Sequence, residues 1–117
     1  MNIEVGEYVR TKKGNIGKVL DITTCTGQKR KKYLIKWNIV KAYYITGTTI
    51  VKHSPNIIDL IEVNDIVTYW VDTQSYNGWV QNFVDKELLK DMKENFIEED
   101  IKSIVTHEQI ENMEYRV

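Results

Sequence analysis

The stretch Ile3-Glu4-Val5-Gly6-Glu7-Tyr8-Val9 returns nearly unchanged as Ile61-Glu62-Val63-Asn64-Asp65-Ile66-Val67. An internal repeat constrains a fold more than composition does, and it has to be found before single elements are assigned. The copies lie 58 positions apart in a chain of 117 residues. Two further anchors follow in the same order. "NIGKVLDI" (15–22) aligns with "YNGWVQNF" (76–83) at offset 61, which sets Gly17 against Gly78, Val19 against Val80 and Ile22 against Phe83. "IVKH" (50–53) aligns with "IVTH" (104–107) at offset 54, which pairs His53 with His107. The reading is two tandem repeats, 1–60 and 61–117. A unit of that size buries only about 60% of its unfolded surface, so each is expected to lean on the other.

The first repeat reads as short strands. Lys13-Gly14-Asn15 and Thr26-Gly27-Gln28 are turn sequences, because Gly and Asn tolerate positive φ. Tyr33, Ile35 and Trp37 fall on one face at period two, with Lys32, Leu34 and Lys36 on the other. Gly17 inside a strand predicts a bulge or a close backbone approach. "YYITGTTIV" supplies two more short strands around Gly47, and Pro55 ends the last of them before a short link, "NIIDLI". Such spacing predicts a mainly β fold, a small barrel or sandwich.

The second repeat changes character. A hairpin is expected around "DTQSYNG". Then Leu89, Met92 and Phe96 recur at helical spacing behind Asp85, a good N-cap, which predicts an amphipathic helix over about 86–96. "EEDIKSIV" suits a strand or a further helical turn. Thr106 and Gln109 match a capping box for a short helix over 107–112, and "MEYRV" reads as a closing strand.

Net charge is −1, but that average conceals two poles. Residues 1–60 carry eleven Lys and Arg against four Asp and Glu, a net +7; residues 61–117 carry five against thirteen, a net −8. Poles of this kind imply a charged partner surface, or salt-sensitive self-association into a dimer. No run reaches the ~18 apolar residues of a membrane helix. "MNIEVGEYVR" places acids where a signal peptide needs a basic region and an apolar core, and Cys25 has no cysteine partner. The expected location is the cytoplasm.

Motifs for catalysis and cofactors are missing from the sequence. It has no phosphate-binding glycine loop and no zinc-type cysteine and histidine spacing. The reading is therefore a non-enzyme without cofactor or metal, and His53 and His107 are taken as polar residues beside turns. Two stretches stand out as partner-binding. Lys29, Arg30, Lys31 and Lys32 gather at a hairpin tip, where they suit phosphate or an acidic protein face. Tyr69, Trp70, Tyr76 and Trp79 surround one hairpin, either as core or as an exposed interface.

"VGEYVRTKKGNIGKVLDI" resembles the opening of SH3-like barrels of the KOW type, with a glycine before a Gly-Lys-Val strand. That likeness implies two SH3-like small barrels, the second carrying the helix, and binding to RNA or protein. The second copy, "VNDIVTYWVDTQSYNGWVQNF", keeps Gly-x-Val without the basic residues. "IVKHSPNIIDLIEVND" and "EEDIKSIVTHEQIENMEYRV" resemble a group of small prophage-encoded proteins of Gram-positive bacteria. This second likeness implies a phage accessory protein that binds, and inhibits, a protein of its bacterial host such as a defence-system component. The alternative is a nucleic-acid-binding module using the basic half.

Overall fold

The computed structural model describes residues 2–24, 27 and 30–113, and the chain is mainly β. It divides into two compact units, Met1–Leu60 and Ile61–Val117.

The first unit is one antiparallel sheet of β1 (Tyr8–Thr11), β2 (Ile16–Thr24), β3 (Lys31–Lys36), β4 (Ala42–Thr46) and β5 (Ile50–Ser54), in the order β4-β3-β2-β1-β5. A 3₁₀ turn, Gly47–Thr49, leads into β5, and a second, Ile57–Leu60, closes the unit. Period-two alternation drives Val9, Val19, Tyr33 and Ile35 inward with Ile3 and Ile50, and Ile22, Trp37 and Ile45 pack against them. Each fully buried aliphatic side chain here contributes about 1.5–3 kcal/mol. The two strands expected around Gly47 form, but β4 pairs with β3 and β5 with β1 rather than with each other. Gly17 is the predicted close approach. A Cβ there would lie 2.4 Å from Ile35 Cγ2 and 2.8 Å from the Lys36 carbonyl oxygen. Arg10, fully buried in β1, donates from Nη1 to the Leu60 carbonyl at 2.8 Å and so ties the first strand to the end of the unit.

The second unit holds β6 (Ile66–Asp72), β7 (Asn77–Phe83) and β8 (Ile101–Val105) in the order β7-β6-β8. Between β7 and β8 runs α1 (Lys86–Asn95), as its spacing predicts. Asp85 caps it by accepting from the Leu88 amide at 2.7 Å, with Glu87 in the first turn and Lys93 in the last, both favourable to the helix dipole. Met92 is its fully buried residue. α2 (His107–Asn112) starts on the expected capping box, with Thr106 Oγ1 accepting from the Gln109 amide and Gln109 Oε1 accepting from the Thr106 amide. "EEDIKSIV" divides into a 3₁₀ turn at Glu98–Asp100 and β8. The closing strand expected at "MEYRV" lies, apart from Met113, outside the described residues, as do Thr26 and Gln28 of the β2–β3 turn.

The expected barrels do not close by strand pairing. β4 and β5 are the edges of one sheet, and β7 and β8 the edges of the other, among the described residues.

One hydrogen-bond scheme recurs in both units. Glu7 N–H donates to the Glu4 carbonyl at 3.1 Å, and Asp65 N–H to the Glu62 carbonyl at 3.2 Å. The third residue of each turn is left-handed, Gly6 at φ 94° and Asn64 at φ 76°. Gly and Asn are the residues that a turn of this type selects there. The amides of Gly6 and Asn64 donate to the carbonyls of Val19 and Val84, and the amides of those valines donate to the carbonyls of Glu7 and Asp65, all at 2.8 Å. A register slip then falls at the same step, between Arg10 and Thr11 in β1–β5 and between Thr68 and Tyr69 in β6–β8. A 3₁₀ turn precedes both β5 and β8.

The scheme corrects two of the three sequence offsets. Val19 corresponds to Val84 rather than Val80. Gly17 faces Val9 as Asn82 faces Val67, so the offset is 65 and Gly78 is not its counterpart. His53 faces Val9 as Ile104 faces Val67, so the last offset is 51, and the two histidines do not correspond.

Candidate partner-binding surfaces

In the second unit, alternation along β6 sends Tyr69 and Trp70 to opposite faces. Tyr69 is core. It is 8% exposed, accepts from Asn82 Nδ2 at 2.9 Å, and its ring lies 5.4 Å from that of Phe96. Trp70 is directly opposite Trp79 on the outer face, where the two rings meet edge to face at 5.3 Å and 78°. Trp70 is 39% exposed and Trp79 40%. Tyr76, half exposed in the hairpin loop, donates from its hydroxyl to the Trp79 carbonyl at 3.4 Å. Lys102 Nζ stands 5.5 Å from the Trp79 ring. Phe83, two strand steps beyond Trp79 on the same face, is exposed as well. Two of the four aromatics singled out in the sequence, Trp70 and Trp79, therefore share the outer face; the Tyr76 ring lies over Gly78, whose side of the strand is the opposite one, and Tyr69 is core.

The basic stretch is described in part. Lys29 lies outside the described residues. Arg30 is exposed just before β3, while Lys31 and Lys32 are the first residues of that strand, opposite Thr24 and Thr23. Neighbours in a strand point to opposite faces, so Lys31 and Lys32, at the hairpin end of β3, do not share a face.

The first unit carries a groove that the sequence reading passed over. Its volume is about 280 Å³; Trp37, Tyr43 and Ile45 line it together with Lys12, Lys13 and Asn15. The rings of Trp37 and Tyr43 are 5.4 Å apart, and Lys41 Nζ lies 5.9 Å from the Tyr43 ring. The available clue was Trp37 and Tyr43 flanking one hairpin, "WNIVKAYY". At its tip Ile39 and Val40 are 94% and 93% exposed, two aliphatic side chains that bury almost nothing in this chain.

Each unit also pairs a histidine with a carboxylate from its opening turn. His53 Nδ1 lies 3.0 Å from Glu7 Oε1. Burial pushes the Glu7 carboxyl up, but the Glu4 amide and the His53 ring outweigh that, and the net direction is below its ordinary value. His107 Nε2 lies 2.9 Å from Glu62 Oε1 and 3.4 Å from Glu108 Oε1.

No family model, curated protein or solved structure matches this chain. Among the described residues no helix is long and apolar enough to cross a membrane.

Proposed function

We propose that this is a non-catalytic protein-binding protein, built of two tandem SH3-like units, which receives its partner on the outer face of the β6–β7 hairpin. The observation that carries the reading is the Trp70–Trp79 pair. Two large rings left about two-fifths exposed on one face, with Phe83 further along the same face of β7, are the composition of an interface hot spot. The acidic balance of the second unit favours a partner with a basic rim around an apolar centre. The SH3-like assignment is supported by the strand order β4-β3-β2-β1-β5, by the 3₁₀ turn before β5, and by the scheme common to both units. The resemblance to prophage proteins makes the partner a protein of the bacterial host, and inhibition of a defence component the use.

The test is site-specific photocrosslinking from Gln81, exposed on β7 on the same face as Trp79, in host cells, with and without Trp70→Ala/Trp79→Ala. One dominant crosslinked protein, lost in a double variant that keeps its fold by circular dichroism, supports the reading. A double variant that is folded and still crosslinks the same protein overturns it.

A second reading is favoured by the groove of the first unit. Lys12, Lys13 and Lys41 beside the Trp37 and Tyr43 rings suit a nucleic-acid strand that stacks a base between phosphate contacts. Mobility shift with single-stranded DNA, duplex DNA and RNA at two salt concentrations decides it. Binding that falls steeply with salt and vanishes in Tyr43→Ala supports this second use.

A further inference from the structure

We propose that Glu62, His107 and Glu108 form a binding site for one divalent transition-metal ion, with zinc as the probe. One donor atom from each residue lies within 4.8 Å of the others. His107 Nε2 is 2.9 Å from Glu62 Oε1 and 3.4 Å from Glu108 Oε1. A tetrahedral ion with ligand bonds of about 2.0–2.2 Å holds its donors about 3.3–3.6 Å apart; His107 is already near that distance from each carboxylate, and the two carboxylates, within 4.8 Å of each other, close on the ion by side-chain rotation. One imidazole nitrogen with two carboxylates favours zinc, manganese or nickel over magnesium, which prefers an all-oxygen octahedron.

The donors stand on a backbone that is already held. Asp65 is fully buried; its Oδ2 accepts from the Glu62 amide at 2.8 Å and its Oδ1 from the His107 amide at 2.9 Å. A single carboxylate thus fixes both segments that carry the donors, which lie 45 residues apart in the chain. The capping box at Thr106 fixes the start of α2 a second time. The donor side chains of His107, Glu62 and Glu108 are 31%, 27% and 21% exposed, so none is sealed in the core. A search for closely spaced cysteines and histidines misses such a set.

The first unit is an internal control. It repeats the turn, but the offset of 51 puts Asn56 and Ile57 where His107 and Glu108 stand, and His53 faces a single carboxylate, Glu7. The proposal is independent of what the aromatic face binds.

The test uses the full chain without an affinity tag. Isothermal titration with zinc should show one saturable site, with magnesium giving none. Long-range nitrogen–proton spectra should show Nε2 of His107 shifting on saturation while the His53 ring stays in place. His107→Gln, Glu62→Gln and Glu108→Gln should each weaken binding at least tenfold. All three keep the backbone amides that Asp65 holds, and their amide spectra check the fold. Cys25→Ser should leave binding unchanged. No saturable zinc binding, binding that persists in folded His107→Gln, or binding that disappears with Cys25→Ser would overturn the proposal.

Discussion

The two units begin alike and diverge in the middle. Both open on a turn with a left-handed third residue, run a short strand between two antiparallel neighbours, slip register at the same step, and re-enter the sheet through a 3₁₀ turn. Between the second and last strands, however, the first unit inserts β3 and β4 while the second inserts α1. The shared part is backbone hydrogen bonding, which fixes only a few residue types. The divergent part decides which faces of the sheet are covered. In the first unit β3 lies against β2 and brings Tyr33 and Ile35 into the core. In the second unit β7 is an edge strand, and Trp79 stays open on its outer face.

The largest effect that would test this contrast lies in the two aromatic neighbours of β6 and β7. Tyr69→Ala removes a ring from the core and should destabilise the second unit by roughly 3–5 kcal/mol. Trp79→Ala removes a ring from the outer face. Its measurable loss should be the edge-to-face contact with Trp70, about 0.5–1.5 kcal/mol. Hydrogen exchange followed separately over 1–60 and 61–117 reads both. Equal losses at the two positions would show that the outer face is covered, and the proposed partner surface would go with it.

A smaller effect separates Gly17 from its counterpart Asn82. A methyl group on Gly17 meets Ile35 and the Lys36 backbone, and backbone cannot step aside as a flexible side chain can. Gly17→Ala should therefore cost the first unit about 3 kcal/mol, near the top of the usual range for overpacking. Asn82 already carries a side chain, exposed, and among the described residues no strand pairs with β7 beyond β6. Asn82→Ala forfeits the bond to the Tyr69 hydroxyl and should cost no more than about 1 kcal/mol. Denaturation monitored unit by unit checks the pair. A mild Gly17→Ala would mean that β3 does not impose the glycine.

The same comparison explains which parts of the fold were legible in the sequence. The recurrence of the opening was, because Ile3-Glu4-Val5 returns residue for residue as Ile61-Glu62-Val63, but the left-handed positions at Gly6 and Asn64 were not read from it. Both helices were, because Asp85 and the Thr106–Gln109 box are capping chemistry written within four residues. Strand correspondence was not. Matching glycine to glycine placed Gly17 on Gly78, yet the requirement for glycine arises from β3, which the second unit lacks. Matching Ile-Val-x-His likewise put His107 three residues out of step, because strand sequences draw on few residue types and a short likeness does not fix register. The outward aim of Trp70 and Trp79 was undecidable for a related reason. Alternation sorts Tyr69 from Trp70, but it does not say which face a neighbouring element covers.

The smallest effect concerns Glu7 and acid. Glu7 and Asp65 hold corresponding places, but their second partners differ. Glu7 meets the His53 ring, whereas Asp65 meets the His107 backbone amide. The Glu7 carboxyl is held below its ordinary value of 4.5. A carboxyl depressed in the folded state binds its proton more weakly there than in the unfolded chain. Its contribution to stability is therefore fully present above the unfolded value, and it fades as pH falls through the folded one. The first unit should consequently lose part of its stability below about pH 4.5. Glu7→Gln keeps an oxygen for the Glu4 amide but carries no charge toward His53. It should lower the stability of the first unit slightly at neutral pH and flatten that acid-side decline, while the acid response of the second unit stays unchanged. Urea unfolding of both proteins between pH 3 and 7, followed by hydrogen exchange in each unit, gives the comparison. Parallel declines in Glu7→Gln and the parent chain would assign the acid sensitivity of the first unit to other groups.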